Sequence, residues 1–330
     1  MRFLSQLAQE DLKGKTCLLR INLDLKYSHR ESLRIDAVLP TFEFLIKNGA
    51  KILILSHRGR PEGPDPDFSL KPMIRILLPK ISNRHSTSIN WLENLRFDPR
   101  EQHNDDSLAK ELAARGDIFV NDDFATSHRA CASLVAITKY LPSYAGLLLE
   151  KEIKNLSQVM TNPEKPLVMI IGGAKIDDKI GVIENFKNKA DYFLMGSSYL
   201  GIKNQELRIK GAESKIVWPE DWVGHDDKKL DIGPQTIEKF SQIIAQAKTI
   251  IWNGPMGLLE DPRYLNGSLK IAGAIIKSNA FSVIGGGETT QLLLELGLEK
   301  RFSFVSTGGG AMLEFLSGKK LPALEALEKT

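Results

Sequence analysis

Short apolar runs alternate with amphipathic segments along almost the whole chain. The runs are four to six residues long, which is the length of typical β-strands. Several are apolar on both faces, as is typical of strands in a parallel sheet covered by helices. The predicted strands span residues 16–21, 50–55, 117–121, 167–171, 191–195, 215–218, 249–252, 281–284 and 302–305.

The segments between these runs carry apolar residues at helical spacing. The predicted helices span residues 34–47, 107–115, 179–189, 235–247, 269–277 and 289–296. Because strand and helix alternate repeatedly, the pattern predicts an α/β fold with parallel, helix-covered sheets.

The best candidate for a domain boundary is the sequence TNPEKP at residues 161–166. A long helical pattern at 144–160 precedes it and is suited to bridging two domains, and a new strand, LVMII, follows it. Residues 203–231 are polar and irregular apart from one short strand, which predicts a surface excursion. We therefore expect one domain over residues 1–150 and a second over 151–311 that includes the bridging helix.

Composition narrows the function classes only slightly. The 330 residues are 42% hydrophobic and 26% charged, and a net charge of +3 gives no reason to expect nucleic acid or a membrane as partner. Two cysteines, Cys17 and Cys131, are too few for a disulfide framework and favour a reduced, cytoplasmic setting. The N-terminus lacks a signal-peptide core, and no apolar run approaches the ~20 residues that span a membrane.

Charged and polar side chains follow the strands of the first half, where ligands bind in open α/β sheets. Arginine suits phosphates and carboxylates because its planar fork bonds two oxygens at once. The first half is therefore predicted to bind an anion. The residues concerned are Asn22, Asp24, His57, Arg60, Asp122, His128 and Arg129, together with Arg34 at a helix start and Arg96 in LENLRF.

Glycine-rich turns follow the strands of the second half. Glycine lets backbone N–H groups approach a phosphate closely, and the next helix N-terminus adds a favourable dipole. Repeated turns of this kind on one sheet predict a polyphosphate ligand. The turns lie at residues 172–175, 196, 253–257, 285–289 and 308–310.

Each of these features has an ordinary structural explanation when it stands alone. A glycine-rich turn often does no more than close a loop, a lone arginine or histidine is often salt-bridged, and Asp122-Asp123 often caps a helix. The joint pattern, with arginine-rich ends in one half and glycine-rich ends in the other, is harder to obtain by chance. Familiar alternatives are excluded: Gly14-Lys15-Thr16 lacks the upstream glycine of a Walker A loop, and no G-x-G-x-x-G, zinc or G-x-S-x-G motif occurs.

Eight motifs, in order along nearly the whole chain, resemble those of phosphoglycerate kinases. Several are long and near-complete, so the resemblance is specific. They are SHRGRP, WLENLRF, VNDDFATSHRACAS, GGAKIDDKIGVIENF, LDIGPQTI, WNGPMG, IGGGETT and VSTGGGAMLEFL.

The resemblance implies two Rossmann-like domains with parallel sheets, joined by an interdomain helix and a hinge. It implies an N-terminal domain that binds 3-phosphoglycerate and a C-terminal domain that binds Mg²⁺-nucleotide, with residues about 312–330 returning to the first domain. The implied reaction is reversible phosphoryl transfer between ATP and the carboxylate of 3-phosphoglycerate, a step of glycolysis and gluconeogenesis. A cytoplasmic monomer that closes by hinge-bending is implied as well.

Site residues are carried over motif by motif. The acid substrate is assigned to Asn22, Asp24, Arg34, His57, Arg60, Arg96 and Arg129. The nucleotide is assigned to Gly173, Lys175, Lys179, Gly196, Asn253, Pro255, Glu260, Gly286, Gly287, Glu288 and Thr289, with Gly309 and Gly310 in the last phosphate loop. The implied catalytic groups are Arg34, Lys175 and the loop residues Gly287 and Gly310, and Glu288 stands at the position of the family's Mg²⁺-binding aspartate.

Three departures from the family pattern affect these assignments. Asn22 and Asp24 have exchanged places relative to the family's R-V-D-F-N, which moves a negative charge two residues along the chain, about 6.6 Å in a strand. Glu288 replaces the aspartate and shifts the carboxylate by about 1.5 Å, and Mg²⁺ tolerates poor geometry badly. The chain is also short, and the elements that wall the adenine in the family are missing after Gly196. We therefore expect weaker or less selective nucleotide binding.

Three interpretations follow from this sequence. An active phosphoglycerate kinase is the main one, because the arginines, both lysines and the triple-glycine loops are retained. The alternatives are a non-catalytic protein that binds the phosphorylated acid, and a kinase with a different acid or nucleotide preference.

Overall fold

The structure is a computed structural model that describes residues 1–25, 32–81, 89–199, 211–226 and 228–330. The chain forms two units. The first unit comprises Met1–Ile153 and Lys320–Thr330, and the second comprises Lys154–Lys319. The chain passes from one to the other within a single helix, Leu147–Thr161.

In the described part of the first unit, one parallel sheet has the strand order β3-β2-β1-β4-β5. β1 is therefore the central strand, and its carboxyl end lies between those of β2 and β4. The strands are β1 (Thr16–Arg20), β2 (Lys51–Leu55), β3 (Ile89–Trp91), β4 (Ile118–Asn121) and β5 (Ser143–Ala145).

Helices cover both faces of this sheet. Leu19 of β1 belongs to a core shared with Phe42 of α2, whereas Leu18 belongs to a second core shared with Leu112 of α4. Adjacent residues point to opposite faces of a strand, so the apolar run of β1 supplies both cores. The helices of this part are α1 (Gln9–Leu12), α2 (Ser32–Lys47), α3 (Lys71–Leu77), α4 (Asp106–Ala113) and α5 (Leu147–Thr161).

The described part of the second unit contains a parallel sheet in the order β13-β12-β11-β6-β7-β8 and a separate antiparallel hairpin, β9–β10. The strands are β6 (Leu167–Ile171), β7 (Tyr192–Met195), β8 (Ile216–Val217), β9 (Trp222–His225), β10 (Lys228–Ile232), β11 (Thr249–Asn253), β12 (Phe281–Gly285) and β13 (Phe304–Val305).

The core of the second unit centres on Trp252 of β11, which is fully buried with Phe240 of α7 and Ile271 of α8. Further along the chain, α10 belongs to the second unit and α11 to the first, where Ala323 packs with Cys131 and Leu134. The helices are α6 (Asp177–Phe186), α7 (Pro234–Gln246), α8 (Asn266–Ser278), α9 (Gly287–Glu295), α10 (Gly309–Leu316) and α11 (Pro322–Glu328).

The predicted α/β class is confirmed, and each predicted strand is present to within two residues. The start of the long helix is wrong: residues 143–145 form β5, and α5 begins at Leu147. Asp122 explains this start, because its Oδ1 accepts the N–H of Leu149 at 3.0 Å and so caps the first turn.

The predicted irregular surface segment is also partly wrong. Its residues 203–210 and 227 lie outside the described residues, but the remainder includes the β9–β10 hairpin. A pattern of apolar runs does not predict this hairpin, because β9 is exposed along its length. In the described part, no helix combines the length and apolar character needed to cross a bilayer.

Candidate active site

A buried arginine at the carboxyl end of β1 organises the site of the first unit. Arg20 is only 1% exposed. Its guanidinium donates to Oγ of Ser133 at 3.0 Å, to Oδ2 of Asp123 at 2.9 Å and to the carbonyl oxygen of Ile21 at 2.5 Å. A buried charge needs such partners, because removing one of them leaves an uncompensated charge in the protein interior.

Arg20 also fixes the position of the proton on His57, which follows β2. The Nη2 atom of Arg20 lies 2.7 Å from Nδ1 of His57. Since a guanidinium has no acceptor, Nδ1 accepts and the ring proton is on Nε2. Burial lowers the pKa of His57 well below its usual value of 6.5. Four positive charges act in the same direction, those of Arg20, Arg96, Arg129 and Arg34. His57 is therefore a neutral side chain that donates through Nε2.

The exchanged residues Asn22 and Asp24 lie beside these groups. Nδ2 of Asn22 donates to Oδ1 of Asp123 at 3.1 Å. Oδ1 of Asp24 accepts the N–H of Gly59 at 2.8 Å, and its Oδ2 lies 3.9 Å from Nε2 of His57, too far for a hydrogen bond. An aspartate at position 22 would bring two carboxylates together, so the amide at this position suits the presence of Asp123.

Four further arginines predicted for the acid site belong to the same edge of the sheet or to the loop after β2. Arg34 donates to the carbonyl oxygen of Asp24 at 3.1 Å, and Arg96 donates to a carbonyl of the loop after β2 at 2.5 Å. Burial lowers the pKa of Arg96, and the charge of Arg129 adds to this shift. Arg60 is exposed on the same loop as His57. The structure therefore brings together Asn22, Asp24, Arg34, His57, Arg96 and Arg129.

In the second unit, the loops after β6 and β11 approach so closely that they require glycine. The N–H of Gly172 donates to the carbonyl oxygen of Asn253 at 3.0 Å, and that of Gly173 donates to Pro255 at 2.8 Å. A Cβ atom on Gly172 would overlap the carbonyl oxygen of Pro255. Gly254 has φ of +88°, a conformation that side chains disfavour.

Two helix N-termini meet next to these loops. α9 begins at Gly287 and α10 at Gly309, and a Cβ atom on Gly309 would lie 3.6 Å from the nitrogen of Gly287. Neither helix has a side-chain cap, so its first N–H groups are available to a ligand. Nδ2 of Asn253 and Oγ1 of Thr289 are buried without a hydrogen-bond partner in the described part. Together these groups form a cradle for an anion such as phosphate.

A cavity of about 170 Å³ opens along this edge of the sheet. Two predicted nucleotide residues, Glu260 and Glu288, place carboxylates on its wall, and Pro255 lines it as well. A carboxylate together with phosphate oxygens is the ligand set that Mg²⁺ prefers, so these residues can hold a magnesium nucleotide. The other lining residues are Gly173, Ala174, Ser197, Ser198, Lys229, Leu230, Met256, Gly257, Leu258 and Leu259.

The two predicted lysines lie between β6 and the first turns of α6. Lys179 is 7% exposed and donates to the carbonyl oxygen of Lys175 at 2.8 Å. Burial lowers the pKa of Lys179. A Cβ atom on Gly173 would lie 3.8 Å from Nζ of Lys179, so the ammonium is close to the glycine loop. Gly196 packs against the other side of this loop, and Gly310 is the second residue of α10.

Sequence reasoning missed the residues that support the predicted acid site. Arg20 and Asp123 form a buried ion pair, and Ser133 links Arg20 to Glu101, whose Oε1 accepts its hydroxyl at 2.6 Å. The available signal was a charged residue at the end of an otherwise apolar strand, since such a residue is rarely buried without partners. Lys229 was missed too, because it lies in the segment predicted to be irregular.

The chain matches the family model described as phosphoglycerate kinase over residues 7–200 and 201–319. The chain belongs to the phosphoglycerate kinase family. A curated phosphoglycerate kinase from Dictyoglomus turgidum is 38% identical over 386 residues, covering 98% of each chain. The solved phosphoglycerate kinase of Coxiella burnetii has a TM-score of 0.84 and 33% identity, covering 99% of this chain and 98% of that one. That of Pyrococcus horikoshii has a TM-score of 0.83 and 30% identity over the same shares.

Membership confirms the predicted family, the two-sheet α/β fold and the phosphotransferase class. The alignment to the Dictyoglomus phosphoglycerate kinase is longer than the 330 residues of this chain, so gaps fall within this chain. The match still extends over 98% of the relative, which means that internal segments are shorter in this chain than in the relative.

Proposed function

We propose that this protein is an active phosphoglycerate kinase that transfers a phosphoryl group reversibly between ATP and the carboxylate of 3-phosphoglycerate. The observation that carries the proposal is a cluster of donors and positive charges around His57, at the carboxyl edge of the first sheet. This cluster supplies the hydrogen-bond donors and positive charges that bind a phosphorylated carboxylic acid. The N–H groups at the starts of α9 and α10 in the second unit supply hydrogen-bond donors for the phosphates of a nucleotide.

In the acid site, Arg60, Arg96 and Arg129 bind the phosphate of 3-phosphoglycerate through charge-assisted hydrogen bonds. Neutral His57 donates from Nε2 to an oxygen of the acid. Asn22 and Asp24 fit the hydroxyl group, since an amide and a carboxylate both accept hydrogen bonds. Arg34 extends from the start of α2 and stabilises the charge of the transferring phosphoryl group.

In the nucleotide site, the N–H groups at the starts of α9 and α10 bind phosphate oxygens, with Gly286 and Thr289 beside them. Lys175 and Lys179 reach the same phosphates, while Gly173, Gly196, Asn253 and Pro255 shape the loops that hold them. Glu260 lines the cavity that holds the nucleotide. Glu288 would hold Mg²⁺, which neutralises phosphate charge when it is bound with the nucleotide.

The chemistry requires no general base, because the attacking carboxylate is already ionised at pH 7. One of its oxygens forms a bond to the γ-phosphorus of ATP, the bond to the β,γ-bridging oxygen breaks, and ADP leaves with that electron pair. Catalysis therefore depends on positioning and on neutralising charge, which are the roles of Arg34, Lys175 and the N–H groups of Gly287 and Gly310.

Acid and nucleotide bind to different units, so we propose that hinge closure at α5 excludes water during transfer. We also propose a cytoplasmic monomer acting in glycolysis. The N-terminal unit would hold the acid and the C-terminal unit the nucleotide.

The test is ATP-dependent phosphorylation of 3-phosphoglycerate by the purified protein, with product formation coupled to NADH oxidation. Arg34→Ala and Lys175→Ala should each reduce turnover at least about a hundredfold, the scale for one transition-state electrostatic contact. The matched controls are Arg75→Ala on α3 and Lys187→Ala at the residue directly after α6, and both should retain activity.

Activity lost in both site variants and kept in both controls would establish the kinase and exclude a contaminating host enzyme. Folded protein that stays inactive with saturating ATP, GTP and Mg²⁺ would contradict the proposal. A protein that still bound 3-phosphoglycerate in that case would be the non-catalytic binding protein instead.

A further inference from the structure

We propose that Lys229, on β10, contacts the purine base of the nucleotide and favours a base with a carbonyl oxygen at position 6. The inference rests on the proposed function, because it takes the cavity of the second unit to be the nucleotide site. It adds a specificity-determining residue on the hairpin to the residues predicted from the motifs.

The order of strands shows which end of the cavity lies near the phosphate cradle and which end lies away from it. Glu288 follows β12 and Ser197 follows β7, and the sheet runs β12-β11-β6-β7. Three strand spacings of about 4.8 Å separate these two ends by about 14 Å. The phosphate cradle at the starts of α9 and α10 lies at the β12 end, so a bound nucleotide extends its base towards the β7 end.

The hairpin contributes Lys229 and Leu230 to this cavity. The carbonyl oxygen of Leu230 accepts the N–H of Leu258 at 2.8 Å, which holds β10 against the loop after β11. β10 also packs on the turn formed by Ser197–Tyr199, directly after β7. Lys229 is therefore placed on the wall near the base rather than near the phosphate cradle.

The ammonium of Lys229 is available to a ligand. Its Nζ lies 4.8 Å from the ring centroid of Trp222, and the described residues include no carboxylate in ion-pair contact with it. A cation on the face of an exposed indole is held more weakly than one in a charge-assisted hydrogen bond. A hydrogen-bond acceptor on a bound base can therefore draw the ammonium from the ring.

The chemistry of an ammonium selects among bases. It has three donors and no acceptor. Hypoxanthine and guanine present two adjacent acceptors, O6 and N7, whereas adenine presents N7 beside an amino group that is itself a donor. Lys229 therefore binds both acceptors of a 6-oxopurine but only one of adenine, and it adds affinity for inosine and guanosine diphosphates.

The test compares ADP with inosine diphosphate by calorimetric titration of the 330-residue protein with Mg²⁺. The two nucleotides differ at purine position 6, which is an amino group in ADP and a carbonyl in inosine diphosphate, and in the proton that inosine carries on N1. Lys229→Met should weaken binding of inosine diphosphate about tenfold and binding of ADP by no more than about threefold. Lys228→Met is the matched control: Lys228 is exposed on the same strand and does not line the cavity, so both affinities should stay unchanged. Thermal unfolding checks that both variants are folded.

Equal weakening of the two nucleotides by Lys229→Met would overturn the inference, because it would indicate a phosphate or ribose contact. Unchanged affinities would overturn it as well. In both cases the wild-type protein still binds nucleotide, so the proposed function stands. If the wild-type protein bound neither nucleotide, the proposed function would fail, and this inference with it.

Discussion

The candidate sites of the two units lie at the same position, the carboxyl edge of a parallel sheet, but different chemical groups form them. The first unit uses charged side chains, and the single guanidinium of Arg20 contacts Ser133, Asp123 and His57. The second unit uses backbone groups, and its loops after β6 and β11 are so close that a side chain at Gly172 would overlap the loop after β11.

The difference fits the two kinds of ligand that we propose for these units. A small acid with a phosphate at one end and a carboxylate at the other is recognised by several separate cations, each held by its own partners. A polyphosphate chain presents many equivalent oxygens, and successive N–H groups of loops and helix starts can follow it. The first site should therefore be sensitive to lost charge, and the second to added bulk.

The largest expected effect is that of Arg20→Met. The substitution leaves the buried carboxylate of Asp123 without its cation and His57 without the donor that fixes its proton. The free energy of unfolding should fall by about 4 kcal/mol, the cost of removing one partner of a buried pair. Urea unfolding measures this, and the KM for 3-phosphoglycerate should rise about tenfold in the protein that remains folded.

An exposed arginine provides the comparison. Arg100 bonds to both Asp98 and Glu111, more carboxylates than Arg20 has, yet it lies at the surface. Arg100→Met should leave stability and KM almost unchanged, because water screens exposed pairs. Similar losses in both variants would show that burial is not what makes Arg20 important.

The second effect is that of Gly172→Ala, which changes no charge. The new methyl group would overlap the carbonyl oxygen of Pro255 and push apart the loops after β6 and β11. We expect a loss of about 3 kcal/mol in the free energy of unfolding and weaker nucleotide binding, with binding of 3-phosphoglycerate unchanged. Denaturant unfolding and separate titrations of the two ligands measure these effects.

Gly273→Ala is the matched control, because the same change there should have the opposite sign. Gly273 lies inside α8, and apart from its neighbours in the same helix no described atom lies within 4 Å of the position of a new Cβ. Alanine at an open helical position stabilises by about 0.5–1 kcal/mol. If Gly172→Ala and Gly273→Ala both lowered the free energy of unfolding, the close contact between the loops would not be the cause of the loss at Gly172.

The smallest effect concerns pH and Asp122, which caps α5. Burial raises the pKa of Asp122 from 3.8 to about 7. Because the folded protein holds this proton more tightly than the unfolded chain, the stability that it contributes is complete below pH ~4 and is lost as the pH rises through about 7. Between pH 5.5 and 8.5 the loss should be about 2 kcal/mol.

Asp122→Asn should remove this pH-dependent part of the free energy of unfolding. An amide keeps an acceptor for the N–H of Leu149 and does not titrate. Urea unfolding of both proteins at several pH values measures the difference between their slopes. Parallel pH profiles for wild type and variant would show that Asp122 has the same proton affinity in the folded and unfolded states.

Much of the fold could be predicted because it follows from local pattern. The apolar run ending at Leu55 and the one starting at Thr249 are buried strands, and the glycines after them mark turns. The short strands β3 and β5 were missed because three residues are too few to show a period. The hairpin was missed because its first strand is exposed and polar residues dominate its second.

The candidate functional residues also divide into those that a local pattern predicts and those whose role depends on distant contacts. His57 and Arg96 could be found because they follow apolar strands or stand in motifs. The role of Arg20 could not, because it depends on Ser133 and Asp123, more than a hundred residues away along the chain. Likewise, the position of Lys229 on the wall of the cavity in the second unit depends on the hydrogen bond between Leu230 and Leu258, which no local pattern encodes.

The helix α11 has a consequence for how the protein is made. Leu321, Ala323 and Leu327 are almost completely buried, and Ala323 packs with Cys131 and Leu134 of the first unit. A ribosome therefore finishes every residue of the second unit before it delivers the last helix of the first. The unit that is translated first is completed last, and a premature stop near residue 320 would remove the last helix of the first unit while leaving the sequence of the second unit whole.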